Sequence, residues 1–207
     1  MYLEIDGKLQ APRLINDDII AINKPYGLAS QVKSCKVANL SPFFLNLRRI
    51  VIPMVEGSVD GKRRMVLRPD TAENEDVKLV MKKSSIETHE AITNYKILKS
   101  KNTTALLECR PETGVKHQIR VHLAWGLGTP ILGDHKYTYI NKIVPQKLTS
   151  EMLQRLGIRQ SKARYVPMHL HAKSILIPEF MNGQNLSVSC RLPPHFEENM
   201  KRLKLKP

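Results

Sequence analysis

Arg110-Pro-Glu-Thr-Gly-Val-Lys-His-Gln-Ile-Arg-Val-His122 joins a strand-like run to a helix-like one and carries the densest polar chemistry of the chain. Thr104 to Arg110 reads as a β-strand, and Pro111-Glu-Thr-Gly114 as the turn that ends it. From His117 to Trp125 the apolar residues Ile119, Leu123 and Ala124 recur at helical spacing, and Gly126 is a normal helix stop. On such a helix His117 and Arg120 share one face and Gln118 and His122 another, while Ile119 and Leu123 point to the core. A guanidinium and an imidazole presented together just after a glycine turn can pair a carboxylate or hold a phosphate.

Outward from this unit, His89 to Leu98 reads as a partner strand across the polar connection Lys99 to Thr103. Asp17 to Asn23 is a short β-branched run stopped by Lys24-Pro-Tyr-Gly27. Ser41-Pro42 can open a short helix carrying Phe43, Phe44, Leu47 and Ile50. Met54 to Val66 reads as turn and strand, Arg68 to Lys78 as a polar loop, and Ile140 to Arg164 as a helical insert. His169 to Ile177 and Leu186 to Cys190 alternate like strands, and the tail from Glu197 is basic and either helical or frayed. Strands with interspersed helices and few crossover units predict a single α+β domain over residues 1–207, built on a largely antiparallel or mixed sheet.

Charge narrows the partner. Lys and Arg number 33 against 19 Asp and Glu, a net +14, and an excess of that size attracts polyanions, RNA or DNA first among them. Aromatic residues are only 5% of the chain, which disfavours a base-stacking platform. No run approaches 18 apolar residues, so no membrane-spanning helix is expected. Cys35, Cys109 and Cys190 are odd in number and widely spaced, which excludes a disulfide framework or a cysteine zinc ribbon. Met1 to Asn16 does not read as a signal or transit peptide. His169-x-His171 on a strand would place two imidazoles on one side, but no Asp, Glu or Cys stands at metal-like spacing nearby. No metal is therefore expected. A metal-assisted hydrolase using His117, His122 and that pair is the weakest of the alternatives. The chain also lacks G-x-G-x-x-G, G-K-[ST] and G-x-S-x-G.

A series of motifs then falls into order: Ala21-Ile-Asn-Lys-Pro-Tyr-Gly27, Thr93-Asn-Tyr95, Pro111 to Leu123, Pro130-Ile-Leu-Gly-Asp-His-Lys-Tyr137 and His169-Leu-His-Ala172. This series resembles the RNA pseudouridine synthases of the RluA type, over about residues 14–30 and 53–180. Gly133-Asp-His-Lys-Tyr137, Pro145-Gln-Lys-Leu148 and Ser161-Lys-Ala-Arg-Tyr165 look closer still to the animal mitochondrial branch, which implies a mitochondrial location. The resemblance implies a bent, mixed, largely antiparallel sheet with flanking helices and an RNA cleft. It implies isomerisation of uridine to pseudouridine in RNA (rRNA, tRNA or mRNA) with no cofactor and no metal, by attack of an Asp carboxylate on a flipped nucleotide.

Arg120, at the Arg of the family's H-Q-[IL]-R, is then the group that pairs with that Asp. Lys24, Lys116, His117, Gln118, Ile119 and His122 are the residues expected at the cleft. The family's [HG]-R-L-D-x-x-[TS]-[ST]-G stretch, whose Asp is the nucleophile, and its K-x-Y are both absent. Between Gly27 and Pro53 there is no Asp or Glu at all, so residues 31–52 stand where a longer block is expected. Leu67-Arg68-Pro69-Asp70-Thr71 does not supply the motif, because Asp70 is followed by no Thr-Gly turn. The expectation is a family member with weak or no activity; the alternative is a non-catalytic RNA-binding protein that keeps the cleft.

Overall fold

The structure is a computed structural model that describes residues 3–5, 8–10, 13–16, 19–21, 47–59, 62–68, 87–181 and 183–206. Its strands run β1 (Leu3–Ile5), β2 (Lys8–Gln10), β3 (Arg13–Asn16), β4 (Ile19–Ala21), β5 (Arg48–Val51) and β6 (Met54–Val59). They continue with β7 (Lys62–Leu67), β8 (Ile92–Lys101), β9 (Thr104–Pro111), β10 (Ser174–Met181) and β11 (Gln184–Ser189). The helices are α1 (Gln118–Val121), which passes into a π-helical turn His122–Gly126, then α2 (Ser150–Leu156), a 3₁₀ helix Gln160–Tyr165 and α3 (Pro194–Arg202). The chain is α+β, and every strand pairing among the described residues is antiparallel.

The backbone divides into two compact units. Met1–Lys33 with Ala172–Leu192 contains the hairpins β1–β2, β3–β4 and β10–β11. Ser34–His171 with Pro193–Pro207 contains the sheet β5-β8-β9, the hairpin β6–β7 and all the described helices.

In the second unit β8 and β9 close through Asn102 and Thr103, with Lys101 opposite Thr104. Asn102 takes φ 51°, a conformation that Asn tolerates better than most residues. A register shift between Ile97 and Lys99 gives this hairpin a bulge. Met54 bridges to His89, which ties the β6–β7 hairpin to the chain entering β8. The α1 segment is buried on two sides. Val121 and Ala124 pack with Met54, Met65, Ala91 and Tyr137. Leu123 packs with Ile50, Tyr95 and Ile131, and the partly buried Ile119 joins that group. Burial on two sides is why Val121, which lies outside the amphipathic spacing, is fully enclosed.

A third cluster gathers Leu148, Leu156, Ala163, Leu203 and Leu205 around α2, the 3₁₀ helix and α3. Thr149 caps α2 by accepting the Met152 N–H, and Gly157 ends it at φ 69°. The Leu156 carbonyl there accepts a 2.8 Å bond from Arg202 of α3.

Several local expectations change. Ile50 lies in β5 rather than in a short helix, and Ser41 to Asn46 fall outside the described residues. The expected insert over 140–164 is helical only at Ser150–Leu156 and Gln160–Tyr165, because Pro145 interrupts the segment before α2. His169 and His171 precede β10 rather than lying in it, so no strand aligns their rings.

Candidate functional site

Gln118, one residue into the helix, is 3% exposed. Its amide N–H₂ donates to the Ile92 carbonyl (2.8 Å) and to Thr93 Oγ1 (2.9 Å). Its carbonyl oxygen accepts from Thr113 Oγ1 (2.8 Å) and from the Val115 N–H (3.1 Å). Two donors and two lone pairs are thereby all used, so the amide staples the helix start to β8 and to the Thr113 turn and keeps no group for a ligand.

Thr93 extends the same chain of bonds to His122, which is fully buried. The Ile52 carbonyl can only accept, so His122 Nε2 donates to it (3.0 Å) and Nδ1 accepts from Thr93 Oγ1 (2.9 Å). Burial lowers the His122 pKa, which suits the neutral ring that this order requires. Both residues expected at the cleft thus serve as internal ties. The turn itself is held by Glu112, which accepts from Asn94 (2.7 Å) and from Arg49 (2.9 Å).

The opposite face of the helix meets a compact polar centre. Arg120 donates through Nε to Asp134 Oδ2 (2.8 Å) and through Nη2 to Oδ1 (2.7 Å), a bidentate pair. Asp134 is 1% exposed, and its Oδ1 also accepts the Lys136 and Tyr137 backbone N–H groups. The guanidinium does not wait without a carboxylate: Asp134 occupies it. Asp134 lies in the motif quoted from the sequence, and its signal there was a short acid after a glycine, positioned to cap its own turn.

Tyr137 stands at the middle of this centre, fully buried. Its hydroxyl accepts from the Met65 N–H (3.3 Å) and lies 2.7 Å from His117 Nδ1. Arg120 lies over its ring at 4.8 Å and Arg64 at 5.4 Å, and Arg64 also covers Trp125 at 4.4 Å. Arg64 is 2% exposed and donates to the carbonyls of Lys136 (2.9 Å), Tyr139 (2.8 Å) and Ile140 (2.7 Å). It therefore fastens the loop that presents Asp134. In the sequence it is one cation in the run Lys62-Arg-Arg64, and nothing in that run marks it as buried.

His117 takes φ 59° at the helix entrance. Its pKa falls from the ordinary 6.5 to about 4, first through burial and then through the charges of Arg120, Lys136 and Lys116, against the opposing pull of Asp134. The ring is neutral at pH 7, and its Nδ1 and the Tyr137 hydroxyl share one hydrogen bond. An unfolded chain binds the His117 proton first as pH falls, so this residue makes stability decline between about pH 6.5 and about pH 4. Above about pH 7 its contribution is constant. Urea midpoints taken across that window should fall less steeply with acid for His117→Gln than for the parent chain. A residual slope will remain, since burial also lowers the pKa values of His122 and His169.

The remaining predicted residues are placed as follows. Lys116 is exposed at the turn before the helix, and Ile119 packs inward against the sheet rather than lining a cleft. Lys24 and Asp70 lie outside the described residues. His169 donates through Nδ1 to the Pro167 carbonyl (2.7 Å), and its Nε2 accepts from Asn199 (3.0 Å). With His122 and His169 each using both ring nitrogens, the four-histidine metal reading loses its ligands. Among the described residues no group of three or more His, Cys, Asp or Glu could hold a metal ion.

Comparison with known proteins places this geometry. A family model described as RNA pseudouridylate synthase matches residues 52–125, which include the helix and its staple. The mitochondrial pseudouridylate synthase RPUSD4 of Rattus norvegicus is 44% identical over 158 residues, covering 74% of this chain and 42% of the rat protein. The Homo sapiens protein of the same name matches at the same identity and coverage. A solved structure titled Human RNA Pseudouridylate Synthase Domain Containing 4 aligns with TM-score 0.66 and 41% identity, over 78% of this chain and 58% of that one. The chain thus spans 42% of the length of these curated relatives. In motif order, in fold and in sequence over 158 residues, the chain matches the RNA pseudouridylate synthases.

Proposed function

We propose that this chain is an RNA-directed protein of the synthase family that has little or no uridine-isomerising activity as it stands. On this reading residues 31–52 replace the block that carries the attacking Asp, and residues 1–207 form one synthase-like domain. Its partner is structured RNA, of the rRNA, tRNA or mRNA kind, and its place is the mitochondrion, as the names of the relatives suggest. No cofactor is required.

The pairing of Arg120 with Asp134 carries the reading. A nucleophile needs a free lone pair aimed at open space, whereas Asp134 is enclosed and gives both oxygens to the guanidinium. The same observation favours the second reading, an RNA-binding protein without chemistry, because the cationic surroundings persist while the acid is consumed.

The test is incubation of the full chain with a uridine-containing stem–loop RNA, followed by carbodiimide treatment and reverse transcription. No stops above an untreated control are expected, together with binding that weakens steeply with salt. Stops that accumulate with time would overturn the inactivity, and their loss in Asp70→Ala would identify a replacement carboxylate. Absence of any RNA binding would overturn the RNA-directed reading as a whole.

A further inference from the structure

The 3₁₀ helix Gln160–Tyr165 carries the most exposed of the large hydrophobic side chains among the described residues, Tyr165 at 70%. A 3₁₀ turn repeats every three residues, so side chains three apart stand above one another. One such row is the anchor. Ala163 is buried in the leucine cluster around α2 and α3, and Gln160 ties the same row to the preceding loop. Gln160 Nε2 donates to the Gln146 carbonyl (2.8 Å), and its Oε1 accepts the Leu148 N–H (3.0 Å). Lys162 and Tyr165 form a second row, and both are exposed.

Packing does not account for a tyrosine at this place. Its ring joins none of the three core clusters, and its hydroxyl makes no hydrogen bond among the described residues. The contact it does make is with a cation, Lys162 Nζ, 5.6 Å from the ring centroid. Arg159 directly before the helix and Arg164 within it are also exposed. Neither has an ion pair or a side-chain hydrogen bond among the described residues. In the sequence no Asp or Glu stands between Glu151 and Glu179, so no near neighbour along the chain offsets these charges.

An open ring held on an anchored turn among cations differs in kind from a patch of charge alone. Every nucleobase has a face that can stack on such a ring, while cations beside it meet the adjoining phosphates. A base inside a duplex has both faces covered by its neighbours, so only an unpaired nucleotide can use the ring. The anchored row also fixes the turn before any ligand arrives, which limits the ordering that binding requires.

We propose that Tyr165 stacks on an unpaired base of the RNA, with Lys162 and Arg164 contacting the phosphates that flank it. This rests on the RNA-directed reading above and adds a preference for looped over fully paired RNA. A single stacking ring registers that a base is unpaired and not which base it is.

The experiment titrates the full chain and its variants with two RNAs of equal phosphate number, a stem–loop with an unpaired loop and a fully paired duplex. Tyr165→Ala should weaken stem–loop binding about fivefold or more and leave duplex binding unchanged. Tyr165→Phe keeps the ring and should bind both RNAs as the parent does. Lys162→Gln and Arg164→Gln should each flatten the stem–loop slope of log affinity against log salt by about 0.7, whereas Tyr165→Ala should keep the parent slope. Tyr165→Gln repeats the titration should the Ala variant fail to fold. Parent-like stem–loop affinity in Tyr165→Ala, an equal loss on the duplex, a Phe variant as weak as the Ala variant, or parent-like salt slopes in both Gln variants would each overturn the stacking site while leaving the RNA-directed reading intact. Self-association of the parent that Tyr165→Ala abolishes would assign the ring to a second copy and overturn the site likewise. A parent chain that binds neither RNA would overturn both.

Discussion

Asp134→Ala should destabilise the protein by about 3 kcal/mol, measured as the loss of unfolding free energy in urea. Removing one partner of an enclosed ion pair leaves the other charge without compensation, and here Arg120 is only 16% exposed. The variant also frees the Lys136 and Tyr137 N–H groups that Oδ1 accepts. Arg120 keeps a limited route to water, which places the expected loss at the lower end of the range for such pairs. A cycle with Arg120→Met separates pairing from packing: the double variant should cost less than the sum of the singles by about 2 kcal/mol. Asp134→Asn adds a second discrimination. Its Nδ2 would face the guanidinium donor to donor, so it too should be destabilised despite its unchanged shape. Strict additivity in the cycle, or a parent-like Asn variant, would show that the pair does not hold the loop to the helix.

Gly133→Ala should be at least as severe, costing about 3 kcal/mol or more. Gly133 has φ +81°, and a Cβ there would lie 2.3 Å from the Pro167 carbonyl oxygen and 2.7 Å from that of Val166. Both obstacles are backbone, fixed nearby by the His169 N–H bond to the Leu132 carbonyl, so no side chain can swing aside. The left-handed backbone alone costs about 1–2 kcal/mol for alanine, and displacing the Val166–Pro167 backbone adds to it. Gly128→Ala is the matched comparison, with φ +67° and no atom within 4 Å of the added carbon. It should show the backbone cost only, so that thermal melts place Gly133→Ala below Gly128→Ala by several degrees. Equal melting temperatures would mean that the close approach of Pro167 is not what requires glycine at 133.

The β8–β9 hairpin and the helix after it were legible because their signals are local: alternation, a polar connection, an apolar repeat and a terminal glycine. α2 is bounded by Thr149 and Gly157, local signals that the reading of one insert over 140–164 passed over. The expected strand through His169 failed because alternation marks an extended chain but not its partner, and the residues preceding β10 pair with no strand. The helix at 140–164 was overextended because leucine spacing around 148–156 says nothing about the segment before Pro145.

At the site, residue type indicated chemistry while burial decided use. His117 and Arg120 do share a polar centre, although His117 reaches it from the left-handed residue before the helix rather than from a helical face. Gln118 and His122, equally polar and equally well spaced, are consumed as ties between β8 and the helix. Arg64 looks like one more surface cation, yet it is among the most enclosed side chains of the described residues.

By itself the sequence carried the resemblance to the RNA pseudouridylate synthases, the alternation of strands and helices in the second unit, and the excess of positive charge. Those properties depend on near neighbours and on sums over residues, which a linear string contains in full. Only the tertiary structure decided that Asp134, 14 residues beyond Arg120, occupies that guanidinium, and that Arg64 is enclosed against the carbonyls of the loop that presents Asp134. Pairings of that kind are set by how separate elements pack, and a carboxylate's chemistry depends on the neighbours and the water that packing leaves it.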